Sequence, residues 1–90
     1  SLSFARSHVA VGQSALRRGD RAAAEAAFRD AIRENAFYLD AYMNLGTRYQ
    51  ERGELDRAVA AYDDLLARNP DFAGAYLNRG ACRQAERTVR

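Results

Sequence analysis

The stretch that decides the fold is YMNLGTRY, which occupies residues 42–49. Its glycine, Gly46, has an equivalent 34 residues earlier at Gly12 and another 34 residues later at Gly80. Many other positions keep the same spacing. They include Phe4 with Tyr38 and Phe72, Gly19 with Gly53, Ala24 with Ala58, Ala27 with Ala61, Phe28 with Tyr62, Asn35 with Asn69, Tyr42 with Tyr76 and Asn44 with Asn78. A fixed period of this length indicates a repeat protein.

Each repeat predicts two amphipathic helices, because apolar residues recur at intervals of three and four residues. Gly53 separates the two helices of the second repeat, and Gly19 does the same in the first. Glycine is favoured where a helix ends, since it adopts the left-handed conformation without steric cost. Pro70 ends the fourth helix by restricting the residue before it. We predict five helices, over residues 3–17, 21–34, 38–51, 55–67 and 71–86.

Neither helix of such a pair can bury its apolar face alone, so neighbouring pairs must stack into a continuous core. The sequence therefore predicts an all-α fold, a right-handed α-solenoid of about two and a half helix-turn-helix repeats in a single domain. The expected units are repeat 1 over 5–38, repeat 2 over 39–72, and a partial repeat or capping helix over 73–90. We expect the tyrosines that keep the period to fill this core, although such a stripe can also serve as a ligand platform.

Residues 42–49, followed by Gly53, Ala58, Tyr62 and Pro70, resemble the tetratricopeptide repeat pattern W-x-x-L-G-x-x-Y…A-x-x-x-F…P. The resemblance covers essentially the whole chain. It is looser in the first repeat, where the expected aromatic residue, tyrosine and proline are replaced. The replacements are His8, Ala15 and Ala36.

The resemblance implies a non-catalytic module that binds a peptide segment of a partner protein in a concave groove. The first helix of each pair lines that groove in this family. The matching positions here are Val9, Gln13, Met43, Asn44, Thr47, Gln50, Leu77, Asn78, Ala81 and Gln84. Asn44 with Asn78, and Gln50 with Gln84, form an amide ladder suited to an extended peptide backbone. The alternative is that these amides are ordinary solvent-exposed side chains.

Some relatives hold a peptide's terminal carboxylate with a clamp of lysine, asparagine and arginine. This chain keeps Asn44 but has Val9, Gly74 and Asn78 where the cations are expected. We therefore do not expect recognition of a chaperone tail.

The composition indicates an ordered chain, with 48% hydrophobic and 29% charged residues and one proline. The net charge of +2 does not indicate a nucleic-acid partner, and no apolar run is long enough to span a bilayer. The single cysteine leaves the compartment open, and we favour a cytoplasmic location. No signal segment opens the chain, which we take to be part of a longer bacterial protein.

Few residues are candidates for catalysis or metal binding. His8 has no acidic residue on its helix face, so we expect a half-buried core histidine. Asp63 and Asp64 are adjacent and should form a solvated face, and Cys82 should behave as a small apolar residue with the alternative of a reactive thiol. Because no catalytic constellation, nucleotide loop or metal-ligand set is present, we expect no enzyme activity, cofactor or metal.

Four arginines follow one face of the last helix, at Arg79, Arg83, Arg87 and Arg90. Such a stripe could bind nucleic acid or an acidic partner. We favour a cap that solvates the end of the stack, because Arg79 and Arg83 replace Leu45 and Tyr49 of the previous repeat. The leading functional hypothesis is a peptide-binding module, and its rival is a structural subunit that self-associates through the solenoid ends.

Overall fold

The computed structural model describes residues 2–88, with side chains for residues 4–88. Five α-helices account for most of this part, and it contains no strand. The helices are α1 (Leu2–Arg17), α2 (Arg21–Glu34), α3 (Leu39–Glu51), α4 (Leu55–Arg68) and α5 (Ala73–Thr88). The all-α helical-repeat prediction is confirmed.

Glycine turns join the two helices of each pair, as predicted. Gly19 has a φ of 79° and Gly53 a φ of 76°, the left-handed conformation that only glycine adopts without strain. The amide after each glycine bonds to the carbonyl five residues earlier, at 2.9 Å in both turns. These bonds satisfy carbonyls at the helix end and direct the chain back along the first helix.

Asparagine turns join one pair to the next. The side-chain oxygens of Asn35 and Asn69 accept hydrogen bonds from the amide two residues later, at 2.9 and 3.2 Å respectively. Because these turns take up the next residues, α3 begins at Leu39 and α5 at Ala73, after the predicted starts at 38 and 71. At its other end α5 continues to Thr88, past the predicted 86, since neither glycine nor proline occurs after Gly80.

The two complete pairs are held by an aromatic ring that lies over a glycine. A Cβ atom on Gly46 would lie 2.5 Å from Cε1 of Tyr62, and one on Gly12 would lie 2.5 Å from Cε1 of Phe28. Both distances are shorter than atoms can approach, so only glycine allows the helices to come this close. The 34-residue period in the sequence therefore reflects a repeated helix contact.

The core runs through all five helices as one cluster. Its largest fully buried side chains are Tyr62, Phe28, Leu65 and Cys82. Tyr42 and Tyr49 are also buried, which confirms that the tyrosines of the second repeat are core residues. Consecutive helices pack against each other, and α1 also touches α3. The described part of the chain measures 40 × 30 × 16 Å along its principal axes.

Candidate functional site

The first helices of the pairs, α1, α3 and α5, carry the residues expected to line the groove. Gln13 in α1 and Leu77 and Gln84 in α5 are exposed, with Leu77 at 74%. The others in α3 and α5 are half-buried. They are Met43, Asn44, Thr47, Gln50 and Asn78. These eight side chains are accessible on the face made by the first helices.

Val9 is the exception. It is only 6% exposed and belongs to the hydrophobic core. A branched apolar side chain at a helix contact is stabilised by burial, so Val9 contributes to packing. Val9 therefore does not belong to the accessible surface of this face.

The hydroxyl of Tyr62 organises the polar side chains of this face. It donates to Oε1 of Gln50 at 2.8 Å, and Nδ2 of Asn78 donates to the hydroxyl oxygen across a long 3.5 Å. Burial raises the pKa of this hydroxyl, against the lowering effect of hydrogen bonds from Thr47 and Asn78, so it stays a donor. One buried tyrosine thus ties the amides of α3 and α5 to α4.

The repeat pattern does not predict this role of Tyr62, because the pattern concerns the aromatic ring and not the hydroxyl. A signal was present: the repeat with tyrosine has Gln50 twelve residues before it, whereas the repeat with Phe28 has Leu16 there. The repeat whose aromatic ring carries a hydroxyl has glutamine at this position, and the repeat whose ring is a phenylalanine has leucine.

Two further polar residues bond to their own helix. Asn44 donates from Nδ2 to the carbonyl oxygen of Asp40 at 2.7 Å, and Thr47 donates to that of Met43 at 2.8 Å. Asn44 and Asn78 therefore both make hydrogen bonds within the chain, which the predicted amide ladder does not include. Short polar side chains on a helix reach the carbonyl four residues earlier, which holds their remaining polar atoms in defined positions.

Apolar side chains flank this polar network. A Cβ atom on Gly74 would lie 3.6 Å from Cε of Met43, so the Met43 side chain of α3 reaches α5 here. Leu77 stands beside this contact, one helical turn after Gly74, and is largely exposed. No cation stands at Gly74, in keeping with the missing carboxylate clamp.

The other candidate residues do not join this face in a catalytic arrangement. His8 is half-buried, as predicted. Cys82 is fully buried, and burial together with the nearby Glu86 carboxylate raises the pKa of its thiol, so it behaves as an apolar residue. Within residues 2–88 no group of three or more histidine, cysteine and acidic residues could hold a metal ion. No helix of that part is long and apolar enough to cross a membrane.

The arginine stripe of α5 is partly engaged. Arg79 donates to Oδ1 of Asp63 at 2.7 Å, so Asp63 pairs with α5 instead of facing only solvent. The same guanidinium lies 5.2 Å from the ring centre of Tyr76. Arg83 and Arg87 are exposed, and Arg90 lies outside the described residues.

A charged cluster lies where α2 meets the end of α3. Glu25 pairs with Arg29 and with Arg52, each at 2.7 Å, and both guanidinium groups lie against the ring of Tyr49. Burial opposes ionisation of Glu25, but hydrogen bonding by Arg52 and Tyr49 and the charge of Arg29 outweigh it and lower its pKa. This cluster joins the first repeat to the second.

Comparisons with known proteins agree with the geometry. A family model described as tetratricopeptide repeat matches residues 9–47 and again residues 43–87. Among solved structures, one titled as the crystal structure of MamA protein is 30% identical, with a TM-score of 0.86 over 96% of this chain. The chain spans 47% of the length of that protein. A search of curated protein sequences found no match. The chain belongs to the tetratricopeptide repeat family, whose repeats generally mediate protein–protein interaction.

Proposed function

We propose that the chain is a non-catalytic interaction module that binds an extended peptide segment of a partner protein. The proposed binding surface, called the groove below, lies on α1, α3 and α5. It consists of Gln13, Met43, Asn44, Thr47, Gln50, Leu77, Asn78 and Gln84. The observation that carries the proposal is the network around the Tyr62 hydroxyl, with an exposed leucine beside it.

The network supports peptide binding because it fixes the amides in advance. Gln50 uses its oxygen to accept from Tyr62, and Asn78 uses one hydrogen to donate to the same hydroxyl. An amide has two donor hydrogens and an oxygen acceptor, so each retains capacity for the backbone of a peptide. Side chains that are already held lose less entropy when the peptide binds.

Leu77 supplies the apolar contact. It is 74% exposed, and Met43 of α3 reaches Gly74, one helical turn before it. Burying a leucine side chain contributes about 1.5–3 kcal/mol. A peptide with one apolar side chain flanked by free backbone amides would match this surface.

The test is selection from a random peptide library displayed on phage, with the 90-residue chain as bait. A selected peptide is then titrated against wild type, Leu77→Ser and Phe37→Ser. Phe37 is the matched control, because it is 71% exposed but lies in the turn between α2 and α3, outside the groove. We expect Leu77→Ser to weaken binding at least tenfold, from the burial energy above, and Phe37→Ser to leave it unchanged.

Equal loss in both variants would mean that the peptide binds through general hydrophobic contact. Loss only in Phe37→Ser would move the binding surface to the inter-repeat turn. Either result would contradict the proposed groove.

A second candidate function is self-association through the end formed by α1. Val11 is 57% exposed there, although its counterpart in the second repeat, Leu45, is 7% exposed. Sedimentation velocity over a range of concentrations tests it. Growth into larger species that Val11→Ser abolishes would favour assembly, and a monomer at all concentrations would exclude it.

A further inference from the structure

A cavity of about 250 Å³ opens beside α3 and α4, in the middle of the stack. Three buried side chains form its floor, those of Leu45, Tyr49 and Ala61. Three exposed side chains form its mouth, those of Arg57, Ala60 and Asp64. The floor is therefore largely apolar, and the mouth carries one positive and one negative charge.

Further repeats at either end of the solenoid would leave this cavity open. α3 already contacts α2, and α4 already contacts α5. Each unit of a solenoid contacts only its neighbours, so a unit added before α1 or after α5 would stack on those helices. Leu45 and Tyr49 follow the groove residues Met43 and Thr47 by two positions, which is about 200° around a helix. The cavity thus lies on the side of α3 that faces away from the groove.

We propose that this cavity is a docking site for an amphipathic helix of a partner protein, which inserts an aromatic side chain. The cavity with its six lining residues is called the α4 cleft below. The partner helix carries an acidic residue about one turn from the aromatic residue on one side and a basic residue about one turn from it on the other. This site is separate from the function proposed for the groove.

The size of the cavity argues for a single side chain. Pockets that hold whole small molecules usually measure about 300–1,000 Å³ and enclose most of the ligand. The α4 cleft is smaller, at about 250 Å³, and three of its lining residues are exposed. In protein interfaces, a side chain that fills such a pocket typically contributes much of the binding energy.

The ring of Tyr49 argues for an aromatic side chain. The guanidinium of Arg57 lies 5.9 Å from the centre of this ring, and both residues line the cleft. An inserted ring would therefore adjoin an aromatic ring and a cation. Aromatic pairs and cation–ring contacts add to the energy of burial, whereas an aliphatic side chain gains burial alone.

Arg57 argues for the acidic residue of the partner. Its side chain is 62% exposed, and Nη1 makes an ion pair with Oε1 of Glu54 at 3.2 Å. A guanidinium has five N–H donors, so one ion pair leaves most of them available. A partner carboxylate at this side of the mouth would accept from the remaining donors.

Asp64 argues for the basic residue. Within residues 4–88 its carboxylate makes no ion pair, although Arg68 follows it by one helical turn. Arg68 donates to the backbone carbonyl of Asp64 at 2.9 Å, and its guanidinium lies over the rings of Tyr42 and Phe37. The carboxylate at this side of the mouth is therefore available to a cation of the partner.

The spacing of these residues argues for a helix as the partner. Arg57 and Asp64 are seven residues apart on α4, which is a rise of about 10 Å, and Ala60 and Ala61 lie midway between them. A helix lying along α4 has the same rise. Its side chains at intervals of three and four residues therefore meet the two charges and the cavity in turn.

The probe is a synthetic alanine-rich helical peptide with blocked ends and a fluorescent label. It carries a lysine, a phenylalanine four residues later and a glutamate three residues after that. Fluorescence anisotropy measures its binding to the 90-residue chain. We expect saturable binding that falls at least tenfold when the phenylalanine is replaced by alanine, and about 2–5-fold when it is replaced by leucine.

Filling the cavity tests where the peptide binds. We expect Ala60→Leu to weaken binding at least tenfold, because the added side chain occupies the mouth. Ala67→Leu is the matched control, since Ala67 is an exposed alanine of α4 that does not line the cleft, and binding should be unchanged. Leucine is a good helix former, so both variants should fold, which circular dichroism checks. Leu77→Ser should also leave binding unchanged, which separates this site from the groove.

The charges are tested by reversal and rescue. Arg57→Glu should weaken binding about 3–10-fold, and replacing the glutamate of the peptide by lysine should restore it. Arg18→Glu makes the same change of net charge in the turn after α1 and should produce neither effect. A glutamate at position 57 lies in the first turn of α4, where a negative charge is favourable for the helix.

Four results would overturn the proposal. The first is absence of binding, and the second is binding that Ala60→Leu leaves unchanged. The third is equal loss in Ala60→Leu and Ala67→Leu, which would indicate general contact with α4. The fourth is a dimer of the chain that Ala60→Leu dissociates, because a second copy would then be the occupant of the α4 cleft.

Discussion

Gly46 and Gly80 occupy equivalent places in α3 and α5 but have different surroundings. The ring of Tyr62 covers Gly46, and none of the described residues outside α5 lies within 4 Å of a Cβ placed on Gly80. In the sequence, the two glycines occupy equivalent positions of the 34-residue repeat. Whether a glycine is needed for close packing therefore depends on the helix that follows it, which the period alone does not reveal.

Alanine substitution separates these two glycines. We expect Gly46→Ala to lower the free energy of unfolding by about 1–3 kcal/mol, because its Cβ would overlap Tyr62. Gly80→Ala should raise it by about 0.5–1 kcal/mol, because only helix propensity changes. Urea denaturation followed by circular dichroism measures both. Similar effects of the two substitutions would mean that Gly46 does not lie at a close helix contact.

Cys82 supplies a second prediction at this scale. It is completely buried and the pKa of its thiol is raised, so the native chain should react slowly with a disulfide reagent at neutral pH. The denatured chain should react at the rate of a free thiol, which is the internal control. Rapid reaction of the folded chain would indicate that α5 separates from α4 or that the thiol is activated.

At the level of helices, the ends were less predictable than the existence of each helix. The apolar spacing and Gly53 located α3 and α4 to within a residue. The start of α5 was predicted two residues early, because the turn made by the Asn69 side chain competes with helix formation. Such a bond depends on which rotamer the side chain adopts, and the sequence pattern does not specify that.

The start of α2 depends on a side-chain cap. Asp20 accepts a hydrogen bond from the amide of Ala23 at 3.1 Å, whereas the equivalent residue before α4, Glu54, makes no such bond. We expect Asp20→Ala to lower the free energy of unfolding by about 0.5–2 kcal/mol. Glu54→Ala is the comparison. It should lower the free energy of unfolding by less, because Glu54 makes ion pairs near the surface and no capping hydrogen bond. The reverse order in thermal denaturation would contradict the capping role.

At the scale of the whole molecule, the repeats are coupled by polar contacts that the sequence did not reveal. The Tyr62 hydroxyl joins the three helices α3, α4 and α5, and Glu25 joins α2 to the end of α3. The sequence correctly indicated that Gln50 and Asn78 share a face. It did not indicate that both contact Tyr62, because that depends on the distance between helices. The shared face of these two amides was thus predictable, but their hydrogen bonding was not.

The Glu25 cluster should make stability depend on pH. Because the folded-state pKa of Glu25 is lowered, its carboxylate stabilises the fold above the unfolded-state pKa, and this contribution is lost as pH falls through the folded-state value. Glu25→Gln should therefore lower the free energy of unfolding by up to about 1 kcal/mol near neutral pH. The effect is small because the ion pairs are partly exposed. This loss of stability should shrink towards zero in acid, as pH falls below the folded-state pKa. Urea denaturation at neutral and at acidic pH measures it, and a loss independent of pH would point to lost packing.

The most direct test of peptide binding in the groove is to map a selected peptide on the labelled chain by amide chemical shifts in nuclear magnetic resonance. We expect the largest changes at Met43, Thr47, Leu77 and Asn78, together with the side-chain amide signals of Gln50 and Gln84. The second helices of the pairs, α2 and α4, should change little except at Tyr62, whose hydroxyl contacts the groove amides. Changes concentrated on the outward side of α2 and α4, or only at the ends of the solenoid, would contradict the groove as the binding surface.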